Sequence, residues 1–223
     1  MKKILSGNSL KVLAVASMTV DHVGAVLFPS QIWMRCVGRL AFVIYAFLIA
    51  EGYFHTHNVK KYMGRLGFLA IVSEIPFDLV FHHTFVYWGS QNVFFTLFLG
   101  LVGLYLMDRI KLRLQPQFWF CALIPVAAMC LAAGLLQCDY RYYGILVITL
   151  FYMARDYRWA AFGGIAVIQV WMGWIQSFGI AALIPIALYN GKKGNGGKLL
   201  QWIFYFYYPV HLLIIYGIWR YAG

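Results

Sequence analysis

Nine apolar runs divide this chain, and no other feature constrains its fold as strongly. They lie at about 10–28, 36–54, 65–82, 92–108, 117–137, 142–154, 159–173, 176–190 and 201–219. A membrane-crossing helix needs about 20 mostly apolar residues. The sixth to eighth runs are short and allow tilted, re-entrant or merged elements, so eight to ten spans are expected. The chain is 63% hydrophobic and 11% charged, whereas soluble domains run at about 45–50% apolar and about 25% charged. So few charges cannot cover a globule of this size. The fold expected is all-α: a polytopic transmembrane helix bundle forming one domain over residues 1–223.

The net charge of +11 does not point to nucleic acid, because the basic residues sit in short loops between the runs. Fourteen of the 18 fall into clusters at Lys2, Lys3 and Lys11; Lys60, Lys61 and Arg65; Arg109, Lys111 and Arg113; Arg155 and Arg158; and Lys192, Lys193 and Lys198. An even number of runs separates each cluster from the next, which puts all of them on one side. Under the positive-inside rule that side is the cytoplasm, with the N-terminus inside. The first run reads as a retained span, since no small-residue cleavage site precedes a soluble domain. The glycine-rich stretch "NGKKGNGGK", 190–198, lacks Walker A spacing because Leu199 follows Lys198. It reads as a flexible basic loop or as a phosphate contact.

Ionisable residues inside spans are costly and mark functional sites by default. Asp21 and His22 lie side by side in the first run, and Glu74 and Asp78 lie four apart, on one helical face, in the third. Pro76 between them loosens the local helix. Arg35 and Arg39 are also four apart, and Arg39 lies deeper. The orientation above brings Asp21, His22, Arg39 and Asp78 to similar depth, towards the extracytoplasmic face. Arg39 can then pair with Asp21, Asp78 or Glu74, either in a purely structural ion-pair network or as part of a site. His22 is the candidate for proton handling. His211, two residues after Pro209, is the other histidine within a span. His55 and His57 sit at the cytoplasmic end, and the four cysteines show no metal-binding spacing. No metal is expected.

Several stretches together carry a resemblance: "LKVLAVASMTVDHVGAVLFP", "RCVGRLAFVIYAFLIAEGYFHTHNVKKYMGRL", "AIVSEIPFDLVF", "QNVFFTLFLG", "YNGKKG" and "FYFYYPVHLL". In this order they resemble the TraX family of membrane proteins, known from the pilin acetylation system of conjugation. Val43 stands where many members have proline. The resemblance implies an inner-membrane, acetyl-CoA-dependent N- or O-acyltransferase, related to the wider membrane acyltransferases. Its acceptor would be a pilin N-terminus or an envelope glycan or small molecule at the outer face. On that footing His22 would deprotonate the acceptor or briefly carry the acetyl group, and Asp21, Glu74 or Asp78 would orient it. A third-run carboxylate is the better geometric partner, because adjacent residues on a helix diverge by about 100°. Arg39 would stabilise an oxyanion. Lys60, Lys61, Lys192 and Lys193 would attract the phosphates of the acetyl-CoA. A proton-coupled transporter or a structural part of an envelope machine is the alternative.

Overall fold

The structure is a computed structural model that describes residues 3–113 and 116–222; Lys2 and the Lys198 side chain lie outside the described residues. Helices account for the runs one by one: α1 (Gly7–Val26), α2 (Ile32–His55), α3 (Val59–Phe81) and α4 (Val93–Lys111) come first. A 3₁₀ stretch (Pro116–Leu123) then leads into α5 (Ile124–Leu135), followed by α6 (Arg141–Met153) and α7 (Arg158–Trp171). The eighth run is broken into α8 (Trp174–Ser177), a 3₁₀ turn (Phe178–Ala182) and α9 (Leu183–Ala187), before the long α10 (Lys198–Ala222). Among the described residues no strand forms, and two isolated bridges join loops. The all-α bundle is the fold.

Local chemistry sets several of the helix starts. Ser6, Asn58 and Asn92 cap α1, α3 and α4, each accepting a backbone N–H of the first turn, which satisfies a donor the helix cannot pair itself. α2 is continuous across Val43, which is fully buried. Pro76 and Pro209 lie within continuous α3 and α10. Each lacks an N–H, so the carbonyl four residues earlier loses its helical donor.

Contacts between loops define two ends of the bundle. At one, Tyr53 and Tyr152 both donate to Asp108, and Arg155 lies 4.0 Å over the Phe54 ring. There too Asn190 N donates to Leu5 O at 2.9 Å and Gly7 N to Lys192 O at 2.8 Å. At the opposite end Gln91 N donates to Gln137 O at 3.1 Å, Asp139 N to Gln91 O at 2.9 Å, and His83 stacks on Trp219. The basic clusters thus gather at the first end. Four helices, α1, α2, α4 and most of α10 (200–221), are long and apolar enough to cross a membrane. The helix α3 has the length, but Lys60, Lys61, Arg65, Glu74 and Asp78 interrupt it, and α5 to α9 are shorter.

The loop 190–197 is docked against the start of α1. Asn8 N donates to Lys193 O at 2.9 Å, and its side-chain amide donates to Asn195 O at 3.1 Å. Carbonyls of the basic loop therefore occupy the free N–H groups of α1, and no backbone cradle for phosphate is left there. The free basic loop expected from the glycines is instead a fitted cap.

Candidate active site

The first histidine stands on α1, four residues before the helix ends; the second stands on α10, one turn past Tyr207. Helix packing brings them together. His22 Nδ1 lies 2.7 Å from His211 Nε2 with the rings nearly parallel, 7° apart. His211 Nδ1 lies 2.8 Å from the carbonyl oxygen of Tyr207. A carbonyl only accepts, so this nitrogen carries a proton and donates. In the neutral pair His211 Nε2 is then the acceptor and His22 Nδ1 the donor. By elimination His22 Nε2 is left with a free lone pair, the atom that attacks an electrophile or takes a proton. The rings of Phe81 and Tyr208 stand edge-on to His22, with centroids at 5.5 and 5.8 Å. Tyr208, Leu212 and His211 are all nearly inaccessible.

This pairing corrects the expectation that a carboxylate would face the imidazole. Glu74 accepts from the backbone and side-chain amides of Asn92, and Asp78 Oδ2 accepts from Tyr87 N at 2.7 Å. Both carboxylates hold the loop that returns the chain to α4, and Glu74 Oε1 and Asp78 Oδ1 are buried without a hydrogen-bond partner. The pair four apart does share a face, but that face meets the loop. Asp21 is turned to α2, where Arg39 Nη2 donates to its two oxygens at 2.6 and 2.5 Å. Arg35 adds a contact at 3.1 Å. Arg39 also donates to Arg35 O at 3.1 Å. Of the three carboxylates open to it, Arg39 takes Asp21. Its guanidinium is therefore committed to that ion pair rather than left free for an oxyanion.

Gly38 makes the ion pair possible. A Cβ there would fall on the Asp21 side chain, so only glycine lets α1 and α2 close over the charges. Gly38→Ala is expected to cost about 1–3 kcal/mol, the usual penalty for overpacking. Thermal unfolding in detergent reads this as a lower Tm; an unchanged Tm would mean that α1 and α2 are not in close contact here.

A cavity of about 370 Å³ leads towards the histidines, within the size range of small-molecule sites. At the basic end it is bordered by Lys11, Arg65, His55 and Lys193, and its inner wall includes Met18, Phe94, Tyr207 and Tyr208. Met18 is one helical turn before His22, and the Tyr208 ring touches those of both histidines. Tyr207 also bonds Thr19 across α1 and α10 at 2.7 Å. The cavity thus runs from the basic end to the tyrosines that wall off the pair. Of the four lysines expected to meet phosphates, Lys193 lines it. Lys60, Lys61 and Lys192 are exposed and outside the lining. Reading loops alone missed Lys11 and Arg65, which sit on the second turns of α1 and α3. It also missed Tyr207 and Tyr208. Their signal was the spacing within "FYFYYPVHLL", where positions three and four before His211 fall on its face. Among the described residues no group of three or more His, Cys, Asp or Glu converges on a metal position.

Fold and site together define a helical membrane protein with a cavity that is basic at one end and is walled at the other by Tyr207 and Tyr208, behind which a histidine pair lies. The chain belongs to the TraX family: the family profile described as "TraX protein" matches residues 6–219. It is similar to the probable fimbrial assembly protein FimC, serogroup H1, of Dichelobacter nodosus, at 29% identity over 94% of this chain and 94% of that one. It also resembles the uncharacterized protein RP591 of Rickettsia prowazekii (strain Madrid E), at 27% identity over 43% of this chain and 35% of that protein. No solved structure matches it.

Proposed function

We propose that this protein is an integral-membrane acetyltransferase. It takes an acetyl group from acetyl-CoA at the basic, cytoplasmic end and passes it to an amine or hydroxyl acceptor at the other face of the inner membrane. The carrying observation is the cavity that runs from the basic end to Tyr208, whose ring lies against those of His22 and His211. Acetyl-CoA is too polar to cross lipid, so a donor on one side and an acceptor on the other need such a passage. The FimC relative's name favours a pilin N-terminus as acceptor, and the positive-inside rule favours the orientation.

The chemistry follows from the hydrogen bonds of the pair. His22 Nε2 attacks the thioester carbonyl, the new N–C bond forms and the C–S bond breaks. The proton on His22 Nδ1 passes to His211 Nε2, while the Tyr207 carbonyl keeps His211 Nδ1 protonated and stabilises the imidazolium. The acceptor amine or hydroxyl then attacks the acetyl carbon, and the C–N bond to His22 breaks. His22 Nδ1 regains its proton from His211, and the acceptor's proton goes to the CoA thiolate, so that CoASH and an acetylated acceptor result. In the direct variant His22 Nε2 takes the acceptor's proton as it attacks the thioester, and no acetyl rests on the protein. The two rings supply a base without a buried carboxylate, and the aromatic wall of Phe81 and Tyr208 keeps water from the reacting carbonyl.

The test is the purified protein in liposomes given acetyl-labelled acetyl-CoA and a short pilin-type N-terminal peptide. Time-dependent acetylation of the peptide with release of CoA is the expected result. Proton flux across the liposomes without CoA release would replace this reading with a carrier, in which the partnerless Glu74 and Asp78 oxygens would be the transport groups. Acid-quenched protein carrying label on a histidine would select the covalent variant.

A further inference from the structure

Three cations border the cavity at its basic end without a neutralising carboxylate. Lys11 on α1, Arg65 on α3 and Lys193 in the docked loop all line it. Among the described residues, the ion pairs within 4 Å join Asp21 to Arg35 and Arg39 and Glu51 to His55. Glu51 is the only carboxylate among the described lining residues. Lys193 lies near enough to Lys11 for their charges to repel. Gathering like charges at the mouth of a half-enclosed cavity is unfavourable unless an anion lies among them, and such a mouth focuses the field on an incoming anion.

The cations are also held in place. Lys11 Nζ stands 5.5 Å over the Phe204 ring, and the Arg65 guanidinium lies 5.8 and 5.9 Å from the rings of Tyr62 and Tyr205. The hydrogen bonds from Gly7 and Asn8 to the carbonyls of Lys192 and Lys193 fix the backbone at Lys193. Three side chains from three separate elements thus converge on one rim.

We propose that Lys11, Arg65 and Lys193 form the phosphate-binding site of a nucleotide-headed donor, whose reactive group reaches His22 on a long uncharged arm. The site rests on the acyl-transfer reading and adds to it where the donor's charge is held and how long its arm must be. Lys11 and His22 share α1, and their separation of eleven positions is a rise of about 16 Å. Along α3, Arg65 and Phe81, the latter in contact with His22, are about 24 Å apart. An acyl phosphate, whose anion adjoins its carbonyl, cannot occupy both places. A pantetheine arm, with its phosphates at one end and its thioester at the other, can. The apolar inner lining (Met18, Leu66, Leu69, Leu97) suits an uncharged arm.

The experiment is isothermal titration of CoA into the purified full-length protein in detergent, at low and moderate salt. Arg65→Gln and Lys193→Gln are each expected to raise Kd at least about tenfold, as loss of a charge-assisted contact does, and to flatten its salt dependence. Lys60→Gln and Lys61→Gln, which remove equal charge at the same end outside the cavity, should leave Kd unchanged. Pantetheine without phosphates should bind wild type and variants alike. An unchanged Kd in Arg65→Gln and Lys193→Gln overturns the site, as does an equal loss in Lys60→Gln and Lys61→Gln. So does a wild type that does not bind CoA. CoA binding that these two variants lose, in a protein that transfers no acetyl group, keeps the site and removes the acyltransferase.

Discussion

If the proposed transfer holds, His22→Ala is expected to abolish it, with the rate falling about 10³-fold or more, while the helical CD spectrum and Tm in detergent stay near those of wild type. The size follows from what is removed. Proton transfer by a positioned side chain contributes typically 10²–10⁴-fold, and here the same imidazole also presents the attacking nitrogen. His211→Ala should fall nearly as far, since it takes away the acceptor of the His22 Nδ1–H bond at 2.7 Å. The double variant should be no worse than His22→Ala alone, because groups acting as one unit are not additive. His211→Gln discriminates further. Its amide oxygen still orients His22 but does not take a proton, so it should retain more activity than His211→Ala and less than wild type. Full activity in His22→Ala would remove the pair from the chemistry. Additive losses would show that the two rings act separately.

Asp21→Ala is expected to produce the largest loss of stability. Asp21 and Arg39 are 8% and 9% exposed, and removing the carboxylate leaves a guanidinium enclosed between α1 and α2 without its ion-pair partner. Breaking a buried pair from one side costs about 3–5 kcal/mol. Arg35 is more exposed and reaches water, so it does not share this penalty. The expected readout is a much lower Tm in detergent, or loss of folded protein from the membrane fraction. Replacing both partners by apolar residues, Asp21→Leu with Arg39→Met, should restore most of the stability, because no charge is then left unpaired. A double variant as unstable as Asp21→Ala would mean that the pair is not the source of the loss. Retained acetyl transfer in the stable double variant would assign Asp21 and Arg39 a structural role only. Lost transfer would return them to the site.

Much of this was legible in the chain. The apolar runs marked the helices, and the spacing of Lys and Arg clusters put the basic loops at one end, where the contacts of Tyr53, Asp108 and Arg155 confirm them. Asp21, His22, Arg39 and His211 stood out because each is an ionisable group in an apolar run. The broken eighth run was less legible. Its 3₁₀ turn at Phe178–Ala182 packs against α2, where a Cβ on Gly179 would meet the Arg39 carbonyl and Gln169, and a distant neighbour determines that geometry.

Transfer from water to an apolar phase is close to additive along the chain, so the sequence by itself determined which segments are helices and how deep each polar residue lies on its own helix. Pairing depends instead on how each helix is rotated and which helix lies beside it, and the packing of the whole bundle sets both. His22 and His211 are 189 residues apart, and no local pattern announces that their rings stack. Glu74 and Asp78 could be put on one face, yet only the return of the 84–92 loop decided that this face holds Asn92 and Tyr87 rather than an imidazole. In the same way, only the packing of α10 against both α1 and α3, with the loop before it docked on α1, made Lys11, Arg65 and Lys193 one rim and left Lys60 and Lys61 facing outward.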